Sequence, residues 1–233
     1  MLFDWVAALE PLTKRGWGWG IDGKFRIAFY TQPSDTPWLH SNNHIPGSRE
    51  AGVDCGLLHI YHNQIFRQQG VHSFCMECYK VVVKPKTLEQ VHKIADWQQL
   101  GEAKNWACKV GAERRNYTDR DWGAYFYCRG VEAGRERYKA VRKWVDENLG
   151  EDIVVILKKG CTEFENNMGA SDKWEMLPQQ LEVEAEGRKV IDYTPMGPPQ
   201  AEAIQHHVYD VWDDWNRQTR KPVTYHEEDK VEE

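Results

Sequence analysis

No stretch of the 233 residues approaches eighteen consecutive apolar side chains, so no segment reads as a membrane-spanning helix and no membrane partner is expected. The opening MLFDWVAALEPL carries Asp4 and lacks a basic region ahead of a long apolar run, so it does not read as a secretory signal. A cytoplasmic setting is therefore expected, in which six cysteines serve as thiols or metal ligands rather than disulfides. Also missing are the Gly-x-Ser-x-Gly elbow, the phosphate-binding loop, the dinucleotide glycine fingerprint and the His-Glu-x-x-His pair. Their absence removes the commonest enzyme signatures and leaves open whether the chain is an enzyme. Neither an internal repeat nor a low-complexity tract is present.

What is present indicates a folded chain. Apolar residues make up 41% and aromatics 12%, with eleven tryptophans to fill a core or build binding surfaces. The net charge of −6 is uneven. Residues 1–71 carry 6 basic and 6 acidic side chains, residues 72–165 carry 17 and 15, and residues 166–233 carry 7 and 15. A mildly basic middle thus precedes an acidic end, and the whole-chain balance does not exclude an anionic ligand.

The middle third has the clearest grammar. KVVVKP (80–85) reads as a strand stopped by Pro85. Thr87-Leu-Glu-Gln90 is a capping-box pattern that opens a helix running to about Gly101. NWACKVGAERR (105–115) and DWGAYFYCR (121–129) alternate as two strands around a polar turn. Tyr138, Val141, Val145 and Leu149 recur at helical spacing and stop at Gly150, and DIVVILKK (152–159) is a strand of branched residues. Strand, helix, strand, strand, helix, strand is the order of a ferredoxin-like α+β core, placed at about 74–160 within residues 72–165. Residues 1–71 are expected to form an extension with a hairpin at WGWGIDGKFRIAFY (17–30), turning at Asp22-Gly23. Residues 166–218 are expected to add an amphipathic helix bearing Ile204, Val208, Val211, Trp212 and Trp215, ahead of a mobile acidic tail at 219–233.

A hairpin centred on Thr118 would set Cys108 opposite Cys128 and Val110 opposite Phe126, giving one apolar face for the helices to cover. The other face would carry Lys80, Lys84, Lys109, Glu113, Arg115, Tyr125 and Tyr127, together with Cys78, and Gly111 and Gly123 would leave room for a ligand near the backbone. Lysines, an arginine and tyrosines on one face suit an anionic ligand or a nucleic acid, although a solvated face, or one covered by 166–233, has the same pattern. RDWGAYFY (120–127) shares Arg120, Trp122, Gly123 and Tyr127 with the third strand of RNA-recognition motifs; Asp121 and Ala124 depart from it, and no family follows from it. Arg135, Lys139 and Arg142 form a second basic stripe, on a helix that also carries Glu132, Glu136 and Asp146.

HSFCMECYKVVV (72–83) raises a metal question. Cys75 and Cys78 form a Cys-x-x-Cys pair, and Cys55, His59, His62 and His72 are further candidate ligands for zinc. An iron–sulfur cluster is the rival occupant and would need Cys55, Cys75 and Cys78 with Cys161 or Cys108. Both require a turn at 75–78, since in a continuous strand the two thiols point to opposite faces. Covalent haem is excluded because residue 79 is Tyr.

Three function classes follow: a metal-stabilised protein presenting the open face to an anionic partner, an enzyme acting there on a small phosphorylated or carboxylated substrate, and a subunit docking on a protein partner through its Trp-rich flanks and C-terminal helix. For the enzyme, Cys161 is a candidate nucleophile, Glu163 a candidate base, and Tyr125 and Tyr127 are further candidates. The first class is the one the open face favours.

Overall fold

A computed structural model describes residues 4–13, 17–27, 36–41, 70–192 and 202–219. In chain order its elements are α1 (Trp5–Thr13), β1 (Trp17–Trp19), β2 (Phe25–Ile27), β3 (Trp38–His40), α2 (Ser73–Met76), β4 (Cys78–Lys84), α3 (Leu88–Leu100), β5 (Cys108–Ala112), β6 (Trp122–Arg129), α4 (Val131–Asn148), β7 (Val154–Lys159), α5 (Thr162–Met168), α6 (Gln180–Val190) and α7 (Glu202–Thr219). The α+β class expected from the sequence is borne out.

Local chemistry explains the boundaries. The Thr87 side chain accepts from Gln90 N–H, and Gln90 Oε1 accepts from Lys86 N–H at 2.7 Å, one residue ahead of the reciprocal bond of a standard capping box. At the end of α4, Val145 O accepts from both Leu149 N–H (2.8 Å) and Gly150 N–H (3.0 Å), and Gly150 adopts φ 113, a conformation that favours glycine. Gly23, with φ 73, turns the chain between β1 and β2 as Asp22-Gly23 foretold. Phe29, from the expected second half of that hairpin, and the acidic end 220–233 lie outside the described residues.

Five strands form one sheet in the order β3-β5-β6-β4-β7, every neighbouring pair antiparallel. One face packs beneath α3, α4 and α7: Val81, Val83, Val110, Ala124 and Phe126 meet Ile94, Val141, Val145 and Trp212. Trp97 of α3 stacks on Trp144 of α4, ring centroids 4.2 Å apart and planes 3° from parallel. A second apolar cluster lies beyond the start of β4. It joins Leu9 and Leu12 of α1, Phe25 of β2, Val71, Cys75 and Met76, Phe164 of α5 and Ile191 after α6.

The expected register is corrected, and two further features find their place. The β5–β6 register pairs Cys108 with Phe126 and Val110 with Ala124, two residues from the expected pairing, because the loop 113–121 takes up more chain; Glu113 N–H donates to Asp121 O at 2.8 Å. A slip of two keeps every side chain on its expected face, whereas a slip of one would have reversed them all. The apolar side of α7 does not wait for a partner: Val208 and Trp212 are fully buried against the sheet, Trp212 Nε1 donates to Pro37 O at 2.8 Å, and Trp215 Nε1 donates to Asp121 O at 2.9 Å. The basic stripe on α4 is neutralised along its own helix, since Arg135 meets Glu132, Lys139 meets Glu136 and Arg142 meets Asp146.

β3 docks where a side chain would prevent it. A Cβ on Gly111 would lie 1.9 Å from Pro37 O, the oxygen that receives both Trp212 Nε1 and Ala112 N–H (3.1 Å). Gly111→Ala is therefore expected to destabilise the protein by about 2–3 kcal/mol, the scale of an overpacked core. Gly18→Ala, with open space around its Cβ, should change stability by less than about 0.5 kcal/mol. Urea unfolding of the two variants checks the difference.

Candidate functional site

Strand register arranges the open face in rows. Lys80 on β4 pairs with Lys158 on β7 and with Tyr127 on β6. One row along, Val82 pairs with Ile156 and Tyr125, Tyr125 with Lys109 on β5, and Lys109 with His40 on β3. Directly paired residues project from the same side of a sheet, so these side chains share one surface.

Tyr125 is the hub of that surface. Its hydroxyl donates to Glu113 Oε2 at 2.6 Å and accepts from Arg115 Nη2 at 2.8 Å and Arg120 Nη2 at 2.9 Å. Arg115 forks onto both Glu113 oxygens, and its Nη1 reaches Glu163 Oε1 of α5 at 2.6 Å. Tyr117 donates to the same Glu163 oxygen at 2.9 Å. Burial opposes the Glu113 charge, but the hydrogen bonds from Arg115 and Tyr125 outweigh it and hold the carboxyl below its ordinary range. Burial, and then the Glu113 charge, push Tyr125 up to about 12, so its hydroxyl keeps its proton. For Glu163, burial is outweighed by a backbone N–H, Arg115, Lys80 and Tyr117, which together hold it at about 2. A carboxylate anchored so low is a weak base at neutral pH.

Two cations on this face have no carboxylate within ion-pair distance among the described residues, though Lys80 acts on Glu163 and Arg120 on Glu113 at longer range. Lys80 is 4% exposed, and among the described residues its Nζ has no hydrogen bond and no carboxylate within ion-pair distance. Arg120 donates to the neutral Tyr125 hydroxyl, while its buried Nε has no partner. Lys80 Nζ and the Arg120 guanidinium carbon lie 5.4 and 5.9 Å from the centroid of the Tyr125 ring. Lys158, across from Lys80, is paired with Glu165. Burial, and then the Lys80 charge, lower the hold of Lys158 on its proton, with Arg120 adding to the effect. The cluster is thus short of negative charge, and an oxyanion between Lys80 and Arg120 would supply it. On its β7 side the site reaches solvent, with the Lys158 and Glu165 side chains each 22% and Glu163 51% exposed.

The face therefore gathers Lys80, Lys109, Glu113, Arg115, Tyr125 and Tyr127 from the expected set. Lys84 leaves it for Asp119, 3.5 Å away in an exposed pair. The glycines do not leave room. Tyr125 folds back over Gly123, whose Cβ would meet the ring at 3.1 Å, and β3 occupies the space at Gly111. Sequence reasoning left Lys158 out altogether and named Arg120 only for its likeness to an RNA-recognition strand, not as part of the face. Carrying the strand alternation into β7 would have found Lys158; Arg120 sits on a loop, where no periodicity applies. Trp38, which receives Lys109 Nζ at 4.2 Å from its ring centroid, belongs to a strand of three residues with no legible pattern.

The metal candidates divide. The chain does turn at 73–76, and β4 starts only at Cys78. His72 Nδ1 accepts from Phe74 N–H at 3.2 Å, and its Nε2 lies 3.6 Å from Glu184 Oε2. The buried Glu184 also accepts from Ser73 N–H at 3.1 Å and from Gln180 Nε2 at 2.7 Å. Cys75 sits in the second apolar cluster, against which Cys161 packs from the start of α5. Among the described residues, no three of His, Cys, Asp and Glu converge as metal ligands. Cys55, His59 and His62 lie outside the described residues. Cys108 is wholly buried and its thiol is pushed up to about 12 by that burial, which makes it inert.

An apolar groove lies elsewhere, between α4 and the edge strand β7. It encloses about 870 Å³, floored by Val155 and Leu157 and rimmed by the self-paired charges of α4. Comparison of the chain with protein-family models, with curated proteins and with solved structures finds no match, so function has to be read from the geometry alone.

Two outcomes test this electrostatic picture. Lys80→Met, which replaces an uncompensated buried ammonium by a thioether of similar length, is expected to raise the melting temperature in anion-free buffer. Glu163 is depressed from 4.5 to about 2, so its contribution to stability is complete above pH about 4.5 and is lost as the pH falls through about 2. Over that window, thermal melts of Glu163→Gln should depend less on pH than those of the parent.

Proposed function

We propose that the protein binds a small oxyanion, a phosphate or carboxylate group, on the open face of its sheet between Lys80 and Arg120. The observation that carries this reading is the pair of cations around one tyrosine ring, neither with a carboxylate within ion-pair distance among the described residues. Lysine is seldom this buried unless paired, and isolated buried charge is costly, so a bound anion accounts for a feature that the fold by itself does not need. Tyr125 fixes Arg120 from one side, and Glu113 and Arg115 fix Tyr125 in turn.

The strand order supports reading β4 to β7 with α3 and α4 as a ferredoxin-like core: the last of its four strands lies beside the first, the first beside the third, and the third beside the second. β3 extends this core at one edge. On such a sheet an RNA or single-stranded DNA would stack its bases on exposed rings. Tyr125 and Tyr127 are each only 3% exposed, which favours a small anion over a nucleic acid. A zinc ion held by Cys75 and Cys78 is a separate proposal that needs ligands from the segment carrying Cys55, His59 and His62, and the anion site does not depend on it.

Calorimetric titration with inorganic phosphate and with acetate tests the reading. Saturable binding of at least one is expected, weakened tenfold or more by Arg120→Gln and by Lys80→Met, and unchanged in Lys139→Met on α4. No saturable binding of either ion, or binding undiminished in both site variants, would overturn it.

A further inference from the structure

We infer that Lys80 anchors a small anionic carbonyl compound, of the 2-oxo acid class, through an imine at Nζ. The inference rests on the anion site proposed above and names the kind of molecule it takes. Three observations carry it. First, an amine held in an ion pair must leave that pair before it can attack. Lys158 is held by Glu165, whereas Lys80 has no carboxylate within ion-pair distance and no hydrogen bond among the described residues, Glu163 acting on it only at longer range. Second, the walls around Lys80 are apolar. Val82, two residues along the same side of β4, joins Tyr125, Tyr127 and Ala107 in one buried cluster, and Tyr127 lies directly across from Lys80. A wall of this kind keeps water from an imine carbon. Third, a lysine in a desolvated site beside a second cation is a recurring arrangement in carbonyl chemistry. Lys158 is that cation, set opposite Lys80 by strand register.

The division of labour follows from position. The carboxylate of the ligand lies against Arg120 in the proposed anion site, with its adjacent carbonyl carbon toward Lys80 Nζ and Lys158 on the far side of Lys80. Lys80 Nζ first passes one ammonium proton to solvent water; its lone pair then forms the nitrogen–carbon bond, and the carbonyl π pair moves to oxygen, which takes a proton from the Lys158 ammonium. Nitrogen gives up its protons as the carbinolamine hydroxyl leaves as water, and Lys158 recovers the proton it lent. Amine and carbonyl thus yield imine and water, with no oxidant or reductant required. Lys158 suits the loan because burial already loosens its hold on the proton.

The experiment incubates the full chain with pyruvate, adds sodium borohydride, and reads intact mass and a peptide map; calorimetry with pyruvate runs in parallel. The expected result is a single reduced adduct on the peptide that carries Lys80, with acetone, which has no anionic group, trapped at least tenfold less. Lys80→Arg keeps the cation and removes the amine, so it should bind pyruvate and give no adduct. Lys80→Met, expected to fold at least as well as the parent, should give none either. Pyruvate that binds by calorimetry without a trapped adduct would overturn the imine and leave the anion site standing. An adduct spread over exposed lysines, and as abundant in Lys80→Met, would do the same. Absence of any pyruvate binding, together with absence of phosphate and acetate binding, would overturn both.

Discussion

A carboxylate with no solvent exposure, Glu113, is the constraint around which the open face is organised. Its desolvation has to be matched by hydrogen bonds, and the two available donors, Arg115 and Tyr125, both commit to it. Removing one partner of such a buried ionic group typically costs about 3–5 kcal/mol, because the charge left behind is uncompensated. That cost explains why Tyr125 folds back over Gly123 instead of standing away from the sheet, where a Cβ at position 123 would press on its ring at 3.1 Å. It also explains why Arg115 is held rigidly enough to reach α5 through Glu163.

Set against this saturated group, the deficit at Lys80 and Arg120 is local and specific. The same protein neutralises several other cations in routine ways: Lys84 on Asp119, Lys86 on Asp152, and the α4 stripe on carboxylates three or four residues away. Pairs of that exposed kind are worth about 0–1 kcal/mol and carry little functional information. Lys80 differs because it is buried, opposed by a second lysine, and beside a tyrosine whose hydroxyl is already fully engaged. A fold optimised for stability alone would place methionine or leucine there, which argues that the charge is kept for something that is not part of the chain.

Much of the frame was legible in the sequence because it rests on local rules. Thr87 capped α3, Gly150 ended α4, Asp22-Gly23 turned the hairpin, and alternation assigned both faces of β4, β5 and β6. The face assignment even survived the wrong register, since the error was an even number of residues. What was not legible depends on contacts between distant segments. β3 has three residues and no alternation to detect; its place is set by the close approach of Pro37 to Gly111 and by a hydrogen bond from Trp212. Arg120 reaches the site from a loop, and glycine at 123 signalled a folded-back tyrosine, not open space. Of the candidate site, the residues on strands were found and their balance of charge was not, because pairing decides that balance and composition does not.

The flanks bear on that balance through α5. Phe164 is buried in the second apolar cluster with Leu9, Phe25, Met76 and Ile191, so it fixes α5 against α1, β2 and the chain end of α6. Its neighbours on either side, Glu163 and Glu165, reach Arg115 and Lys158. One buried ring thus holds two carboxylates at the rim of the cationic face. If α5 moved away, both would go with it, Lys158 would lose its partner, and the face would become more positive by two charges. The second cluster is itself tied to the start of β4 by the buried Glu184, which holds Ser73 at the N-terminus of α2. The packing of the outer layer and the charge of the inner face are therefore one problem: the residues that dock the flanks also set how much negative charge the site still needs from a ligand.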